Sequence, residues 1–489
     1  MNRREFLTAT GMGSAAALLI GGSNCRRAGA RPPNFIFILV DDLGWRDVGF
    51  MGSRYYETPH IDRLAARGTV FTQAYAAAAV CSPTRASILT GRYPARLGIT
   101  DWIRARRDGG VLGPERKNPE GYDDDPAFKW MTPRNALFMQ LEEVTIAEVL
   151  KKSGYATGHV GKWHLGPDEF LPEGQGFDEN AGGADIGHTE SYFDPFLNEG
   201  APIPSLEPRR AGEYMTDREA DGACDFIRRN RDRPFYLNLC HYAVHTPLQA
   251  KEEAIARFKD KPPHDGQKNP VYAAMIKSVD DSVGRVMGLL DELGLAERTC
   301  VFFFSDNGGL HTVTDNSPLR MGKGFPYEGG IREALAVSWP GTIPEGTRCV
   351  DRVLSIDFFP TIIRLAGLEI PADRAIDGVD FSPLLSGKKT SPGERDIFWH
   401  FPHYWWGDTV RPWSIVRSGP WKLIRFYEDG RQELYNLEDD ESETKDLAPT
   451  RAGLVETLSR KLDAWLEETG AKLPRPNPRY HQSLTKGEE

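Results

Sequence analysis

Four short runs in this chain are almost wholly apolar: Asn34–Val40, Tyr155–Val160, Phe235–Leu239 and Cys300–Phe304. Runs of this length and purity suit strands buried on both faces. Helix-patterned segments lie around them: Thr58-Pro59 to Ala66, Thr145 to Lys152 with Gly154 as a stop, residues 217–230, and Tyr272–Leu293. Val70–Ala74 and Leu335–Val337 read as further strands. Strand and helix in alternation predict a large, mostly parallel sheet sandwiched by helices, an α/β fold. Ligands of such sheets bind beyond the carboxyl ends of the strands. Each of the four runs is followed there by residues that carry chemistry: Asp41 and Asp42, Lys162 and His164, His245, and Asp306 with Asn307.

Beyond about residue 391 the pattern changes. Trp413–Val416, Trp421–Tyr427 and Gln432–Tyr435 read as short antiparallel strands, with Asp429-Gly430 as a hairpin turn. An amphipathic helix over Leu454–Leu466 follows. The expected organisation is an export signal at 1–30, a catalytic domain at 31–390 and a smaller C-terminal domain at 391–489. Between Arg104 and Arg134 the chain is charged and rich in Pro and Gly, a loop long enough to serve as a lid or a wall of a site. The residues from Pro474 onward are expected to be poorly ordered.

Composition narrows the classes. The 489 residues carry a formal net charge of −10, which argues against a general nucleic-acid binder but leaves room for an anionic substrate in a locally positive pocket. Arg3-Arg4 before a Gly/Ala/Leu run ending at Ile20 resembles a twin-arginine export signal, and the run is too short and Gly-rich to span a membrane well. The expected destination is the periplasm or the exterior, with no transmembrane anchor beyond the signal. Gly22-Ser23-Asn24 match a lipid-attachment motif poorly, so Cys25 is expected to leave with the signal rather than carry lipid. An oxidising compartment permits pairing among Cys224, Cys240, Cys300 and Cys349, although Cys240 and Cys300 sit in apolar runs that favour free thiols.

The stretch Ala79-Val80-Cys81-Ser82-Pro83-Thr84-Arg85 to Thr90-Gly91 places a thiol at a helix start, with Pro83 in the first turn and Gly91 as a stop. The helix N-terminus favours an anion, and Arg85 lies one turn on, on the same face. Asp41, Asp42, Asp306 and Asn307 offer oxygen ligands only, which suits Ca²⁺ or Mg²⁺ rather than zinc. Lys323, between Gly322 and Gly324, can approach a ligand closely.

Cys-x-Pro-x-Arg followed by Thr-Gly resembles the signature of type I sulfatases of the alkaline phosphatase superfamily, and further motifs of that family recur along most of the chain. The resemblance implies that a separate modifying enzyme oxidises Cys81 to formylglycine. It implies that Asp41, Asp42, Asp306, Asn307 and the modified Cys81 hold Ca²⁺, with Mg²⁺ the lesser candidate. It further implies that Arg85, Lys162, His164, His245 and Lys323 act on a sulfate ester. One hydroxyl of the aldehyde hydrate attacks sulfur; His245 with Lys323 protonates the departing alcohol; His164 accepts the proton when sulfate is expelled. A sulfated small molecule or saccharide is the expected substrate. Ser191 or Thr189 is the nearest match for an additional hydroxyl donor. The aromatic run Trp399–Trp406 offers faces for a sugar ring, and His400 and His403 are candidate hydroxyl partners. His159 and His241 read as structural. The alternatives are a phosphonate monoester hydrolase or phosphodiesterase of the same superfamily, a silent sugar-binding protein, or a thiol protease.

Overall fold

The computed structural model describes residues 31–103, 116–387, 394–407 and 409–481. The expected signal at 1–30 with Cys25, residues 104–115 of the polar loop and the 390/391 boundary lie outside them. The strands of the main sheet are β1 (Asn34–Val40), β2 (Gly68–Tyr75), β3 (Ala156–Gly161), β4 (Glu179–Ala181), β5 (Phe235–Cys240), β6 (Thr299–Ser305), β7 (Arg332–Ser338) and β8 (Thr347–Cys349). Their order is β8-β2-β7-β6-β1-β5-β3-β4, with Val353–Leu354 also pairing with β2. The central ladder β6-β1-β5-β3 is parallel throughout. Every residue of β1, β3, β5 and β6 is buried, as expected of strands covered on both sides.

The covering helices are α1 (Pro59–Ala66), α2 (Cys81–Thr90), α3 (Ile146–Lys152), α4 (Met215–Asn230), α5 (Pro270–Glu292), α6 (Phe358–Leu365) and, in the C-terminal part, α7 (Ala452–Glu468). Alternate side chains of β1 sort to opposite faces. Ile36, Ile38 and Val40 join a core with α1, α4 and α5. Phe35, Phe37 and Leu39 join another with α2, α3 and α6.

β7 departs from the expected parallel course: it runs antiparallel to both β6 and β2. The chain between Ser305 and Arg332 stays at the carboxyl edge of the sheet, and its one helix spans only Glu328–Ile331. A parallel return needs a crossover of a dozen or more residues; without one, the next strand starts where the last ended and runs back.

The C-terminal sheet is antiparallel, with strands β9 (Ile397–Phe401), β10 (Trp413–Ser418), β11 (Trp421–Phe426) and β12 (Gln432–Asn436) in that order. Its inner face packs with α7 into a core that also takes in Tyr75, Val80 and Ile331. Two expectations are corrected. The described part of the polar loop forms short paired strands, Tyr122–Asp123 and Trp130–Pro133. The segment after Pro474 is ordered against them: Arg475–Pro476 pairs with Trp130–Met131, and Asn477 Nδ2 donates to the carbonyls of Asp125 and Phe128.

A candidate active site at the carboxyl edge of the sheet

β1 is flanked by β6 on one side and β5 on the other, with β3 beyond β5. Val40 pairs with Ser305, so Asp41 and Asp306 leave the sheet side by side. Gly161 pairs with Cys240, which brings Lys162 to the same edge. Gly161 has φ +92, and a Cβ there would stand 2.0 Å from Cys240 O; only glycine lets the two strand ends close. Asp42 (φ 61) and His164 (φ 59) adopt the left-handed region, a conformation that non-glycine residues hold mainly where the surroundings enforce it.

The carboxylates of Asp41, Asp42 and Asp306 offer oxygens that all lie within 4.8 Å of one another, and all three residues are buried. Lys162 Nζ lies 2.6 Å from Asp41 Oδ2, and Lys323 Nζ lies 2.6 Å from Asp42 Oδ1. Arg85 binds Asp306 Oδ2 through Nε at 2.9 Å and Nη2 at 2.7 Å, and its Nη1 donates to Lys162 O at 2.9 Å. Asn307 Nδ2 donates to Asp42 Oδ1 at 2.8 Å. Asp41 Oδ1 and Asn307 Oδ1 are buried with no hydrogen-bond partner among the described residues. Burial, with Asp306 adding to it, pushes the Asp41 carboxyl up to about 8. Asp42 is buried too, yet Lys323, His245 and Lys162 hold it below the usual carboxylate range. Oxygen-only donors, converging carboxylates and two orphaned oxygens fit a hard divalent cation.

Cys81 opens α2 immediately after Val80, which is extended, and Gly91 (φ 70) closes the helix by donating to Ser87 O. Burial raises the thiol above its ordinary pKa, against the opposing pull of Lys162 and Lys323; the unmodified side chain is therefore a thiol and a poor nucleophile. Cys81 Sγ lies 3.5 Å from His164 Nδ1. His164 Nε2 donates to Ile103 O at 2.9 Å, so Nδ1 presents its lone pair to residue 81. Ser82 Oγ donates to His164 O and accepts from Ile103 N, which ties the helix start to both neighbours. Burial, Lys162 and Arg85 keep His164 well below its ordinary pKa, hence neutral.

His245 Nε2 stands 3.6 Å from Asp42 Oδ2, and its Nδ1 donates to Thr246 O at 2.6 Å. Burial and Lys323 lower His245 to about 3, so this ring too is neutral. Lys323 is buried, but Asp42 keeps it protonated well into the alkaline range. Lys323 thus stands as an ammonium beside the neutral ring of His245, both on Asp42.

Ten residues singled out in the sequence thus converge here: Cys81, Arg85, Lys162, His164, His245 and Lys323 with Asp41, Asp42, Asp306 and Asn307. His159 and His241 are bonded within the fold, His159 to Gly161 O and Asn238, His241 to Glu219 and Ser282. The five described cysteines are free.

Other expectations are corrected. His400 is buried inside the C-terminal part, with Nδ1 on Ser414 Oγ at 2.7 Å and Nε2 on Lys472 O at 3.1 Å; alternation along β9 turns it away from the cleft. Thr189 Oγ and Ser191 Oγ are spent on carbonyls of their own loop. His403 does line a cleft of about 650 Å³, together with Asp101, Trp102, Trp130, Asn135 and Tyr404. The Trp102 ring in that cleft is 6.3 Å from the His164 ring.

Several contributing residues carried no local signal. Ile103 orients His164 through its carbonyl. Tyr192 Oη donates to Tyr242 O and His245 O and fixes the turn that carries His245. Gly187 makes room for the His164 ring, whose Cε1 would meet its Cβ at 2.5 Å. A backbone carbonyl leaves no mark in residue type, and a glycine or tyrosine that serves a distant partner carries no sign of that partner in its neighbours.

Comparison with known proteins gives concordant results. Residues 33–368 match the family model for Sulfatase, and residues 320–470 match that for the C-terminal part of N-sulphoglucosamine sulphohydrolase. The chain is 33% identical over 454 residues to the N-acetylgalactosamine-6-sulfatase of Sus scrofa, covering 86% of this chain and 76% of that one. It is 34% identical over 495 residues to the steryl-sulfatase of Rattus norvegicus, covering 84% and 80%. Among solved structures, Ps i-CgsB in complex with k-i-k-neocarrahexaose superposes with a TM-score of 0.76 at 29% identity, covering 93% of this chain and 96% of that one.

Proposed function

The chain belongs to the sulfatase family and is a sulfuric ester hydrolase, and from that premise we propose that it cleaves a sulfate ester of a saccharide at the edge formed by β1, β3, β5 and β6, using a formylglycine made from Cys81. The observation that carries the reading is the meeting of Cys81, the lone pair of His164 and three buried cations around one carboxylate cluster. Asp41, Asp42, Asp306, Asn307 and the side chain at position 81 would hold Ca²⁺, which when bound supplies positive charge against the ester oxygens. An aldehyde hydrate at position 81 would supply one hydroxyl as the nucleophile toward sulfur, its proton making good the one given to the departing alcohol, and a second hydroxyl whose deprotonation would expel sulfate and restore the aldehyde.

The remaining work falls to the chain's own residues. With a divalent ion bound and Asp41 ionised by it, the three carboxylates would offset Arg85, Lys162 and Lys323, and the ion would leave the site net positive and matched to an anionic ester. Arg85 holds Asp306 and the Lys162 carbonyl, and thus sets the spacing between α2 and the sheet edge. Lys162, held by Asp41, and Lys323, held by Asp42, would meet the ester oxygens. Lys323 carries the proton for the departing alcohol, and the negative charge of a bound ester raises His245 toward the same role. His164 Nδ1, neutral and unprotonated, receives the proton of the second hydroxyl.

Support for a saccharide comes from the names of similar proteins and from the aromatic cleft beside Trp102. The N-terminal twin-arginine pattern supports a periplasmic or secreted location. The test is mass spectrometry of the Cys81 peptide from native host material, paired with sulfate release from sulfated saccharides. We expect aldehyde at position 81, loss of release in Cys81→Ala, and loss on chelation that Ca²⁺ reverses. An intact, alkylatable thiol in fully active protein would sink the mechanism. Faster turnover of a phosphonate monoester than of a sulfate ester would replace the substrate class.

A further inference from the structure

The aromatic run at 399–406 divides into two parts. Trp399 faces inward, fully buried, with Nε1 donating to Ala76 O, and Phe401 stacks on Trp413. Trp405 and Trp406 instead stack on each other, with ring centroids 4.2 Å apart and planes 14° from parallel. Paired hydrogen bonds between Trp405 and Val410 close the loop that holds them.

This pair stands against the reaction centre. Lys323 Nζ, which binds Asp42 at 2.6 Å, lies 6.0 Å from the Trp405 ring centroid. Gly324, the next residue, makes that approach possible: a Cβ there would sit 2.1 Å from Trp405 Cε3. Trp406 is one ring further out. It is 42% exposed, the sole aromatic among the large apolar side chains left exposed in the described residues. It is flanked edge-on by His311 at 5.6 Å and at a tilt by Phe325 at 6.5 Å. Its backbone has φ +51, which a bulky side chain holds only against strain. The fold thus keeps a large apolar face in water, in an unfavourable backbone conformation, braced from behind and from the edge, one ring away from a site cation.

We propose that Trp406, backed by Trp405 and braced by His311, is the platform on which the sugar face of the substrate stacks while its sulfate reaches Lys323. A pyranose matches such a surface: its C–H face is apolar and its hydroxyls point sideways into water, as the amphipathic character of an exposed indole requires. The platform acts on binding and on choice of substrate, not on the reacting atoms. This inference rests on the reading of the chain as a saccharide sulfatase.

The test compares wild type, Trp406→Ala and Trp406→Phe on a panel of sulfated mono- and oligosaccharides and on methyl sulfate, which has no ring to stack. We expect Trp406→Ala to raise KM for the saccharide by about three- to tenfold, the worth of one stacked ring contact. Its kcat on saccharide and its kcat/KM on methyl sulfate stay at wild-type values, and Trp406→Phe recovers part of the loss. An unchanged saccharide KM overturns the platform while leaving the saccharide reading intact. Equal losses on both substrates, or a fall in kcat alone, assign Trp406 to packing around Lys323 and overturn it as well. If wild type hydrolyses methyl sulfate but no saccharide of the panel, the underlying reading fails and the platform with it.

Discussion

Lys422 of β11 is fully buried between two acids, with Nζ 3.0 Å from Glu328 Oε1 and 2.7 Å from Glu443 Oε1. Glu443 also accepts the Glu328 N–H at 2.6 Å, and Tyr75 Oη donates to Glu328 Oε2 at 2.7 Å. The cluster clamps the short helix at 328–331, just after the Lys323 segment, to the C-terminal sheet. Burial, reinforced by Glu328, raises Glu443 to about 7 even with Lys422 opposing. Lys422→Met removes the ammonium and leaves the nearest other cations, Arg332 and Arg417, 3.8 and 3.9 Å from Glu328. Breaking one partner out of a buried ion pair costs about 3–5 kcal/mol, and that range is the expected loss here.

The loss depends on pH. Without Lys422 the folded state takes up protons that the unfolded chain releases, so stability falls as pH rises, by up to about 1.4 kcal/mol per pH unit above the unfolded carboxylate range. Urea unfolding followed by tryptophan fluorescence at pH ~6 and ~8.5 measures both effects. Lys422→Met should be the more destabilised at the higher pH, and adding Glu443→Gln should recover more than half of the loss. A destabilisation below about 1 kcal/mol, or one equal at the two pH values, would refute the assignment.

Two further expectations concern single groups. Gly161→Ala sets a Cβ 2.0 Å from Cys240 O at φ +92; strain and overpacking together should cost about 2–5 kcal/mol, and residual folded protein should lose activity because Lys162 moves, which kcat at a temperature well below its unfolding midpoint will report. His400, lowered to about 4 by burial, is neutral in the fold, so its contribution is full above the unfolded value of ~6.5 and drains away as pH falls to ~4, by about 3 kcal/mol in all. Denaturant midpoints across that range should flatten in His400→Asn, and an unaltered pH dependence would contradict the placement.

Much of this architecture is written in the one-dimensional pattern. Strand runs buried on both faces are legible because they lack polar residues, and β1, β5 and β6 match the runs closely. Asp41, Asp42, Lys162, His164, His245, Asp306 and Asn307 were legible because they follow such runs, Cys81 and Arg85 because they open a helix on one face, and Lys323 because glycines flank it. The direction of β7 was not, since periodicity gives a strand's faces and not its sense; that depended on the missing crossover after Asn307. The order of Arg475–Asn477 was invisible for a related reason: its partners lie some 350 positions earlier in the chain. His400 and His403 differ by three residues and have opposite fates, because one sits within β9 and the other just beyond its end.

The helix that carries Cys81 has no surface. Each of its ten residues is buried, and the cysteine itself is 4% exposed. A modifying enzyme that had to grip Cys81, Pro83 and Arg85 as an extended peptide would find none of them accessible once the fold has closed around α2. If Cys81 is converted to formylglycine as proposed, its oxidation must come before the fold is complete. A chain that folds first is expected to stay a thiol when the folded protein is mixed with the modifying enzyme, and to become a substrate again only on unfolding. On that proposal the activity of a preparation would be set during synthesis and not adjustable afterwards.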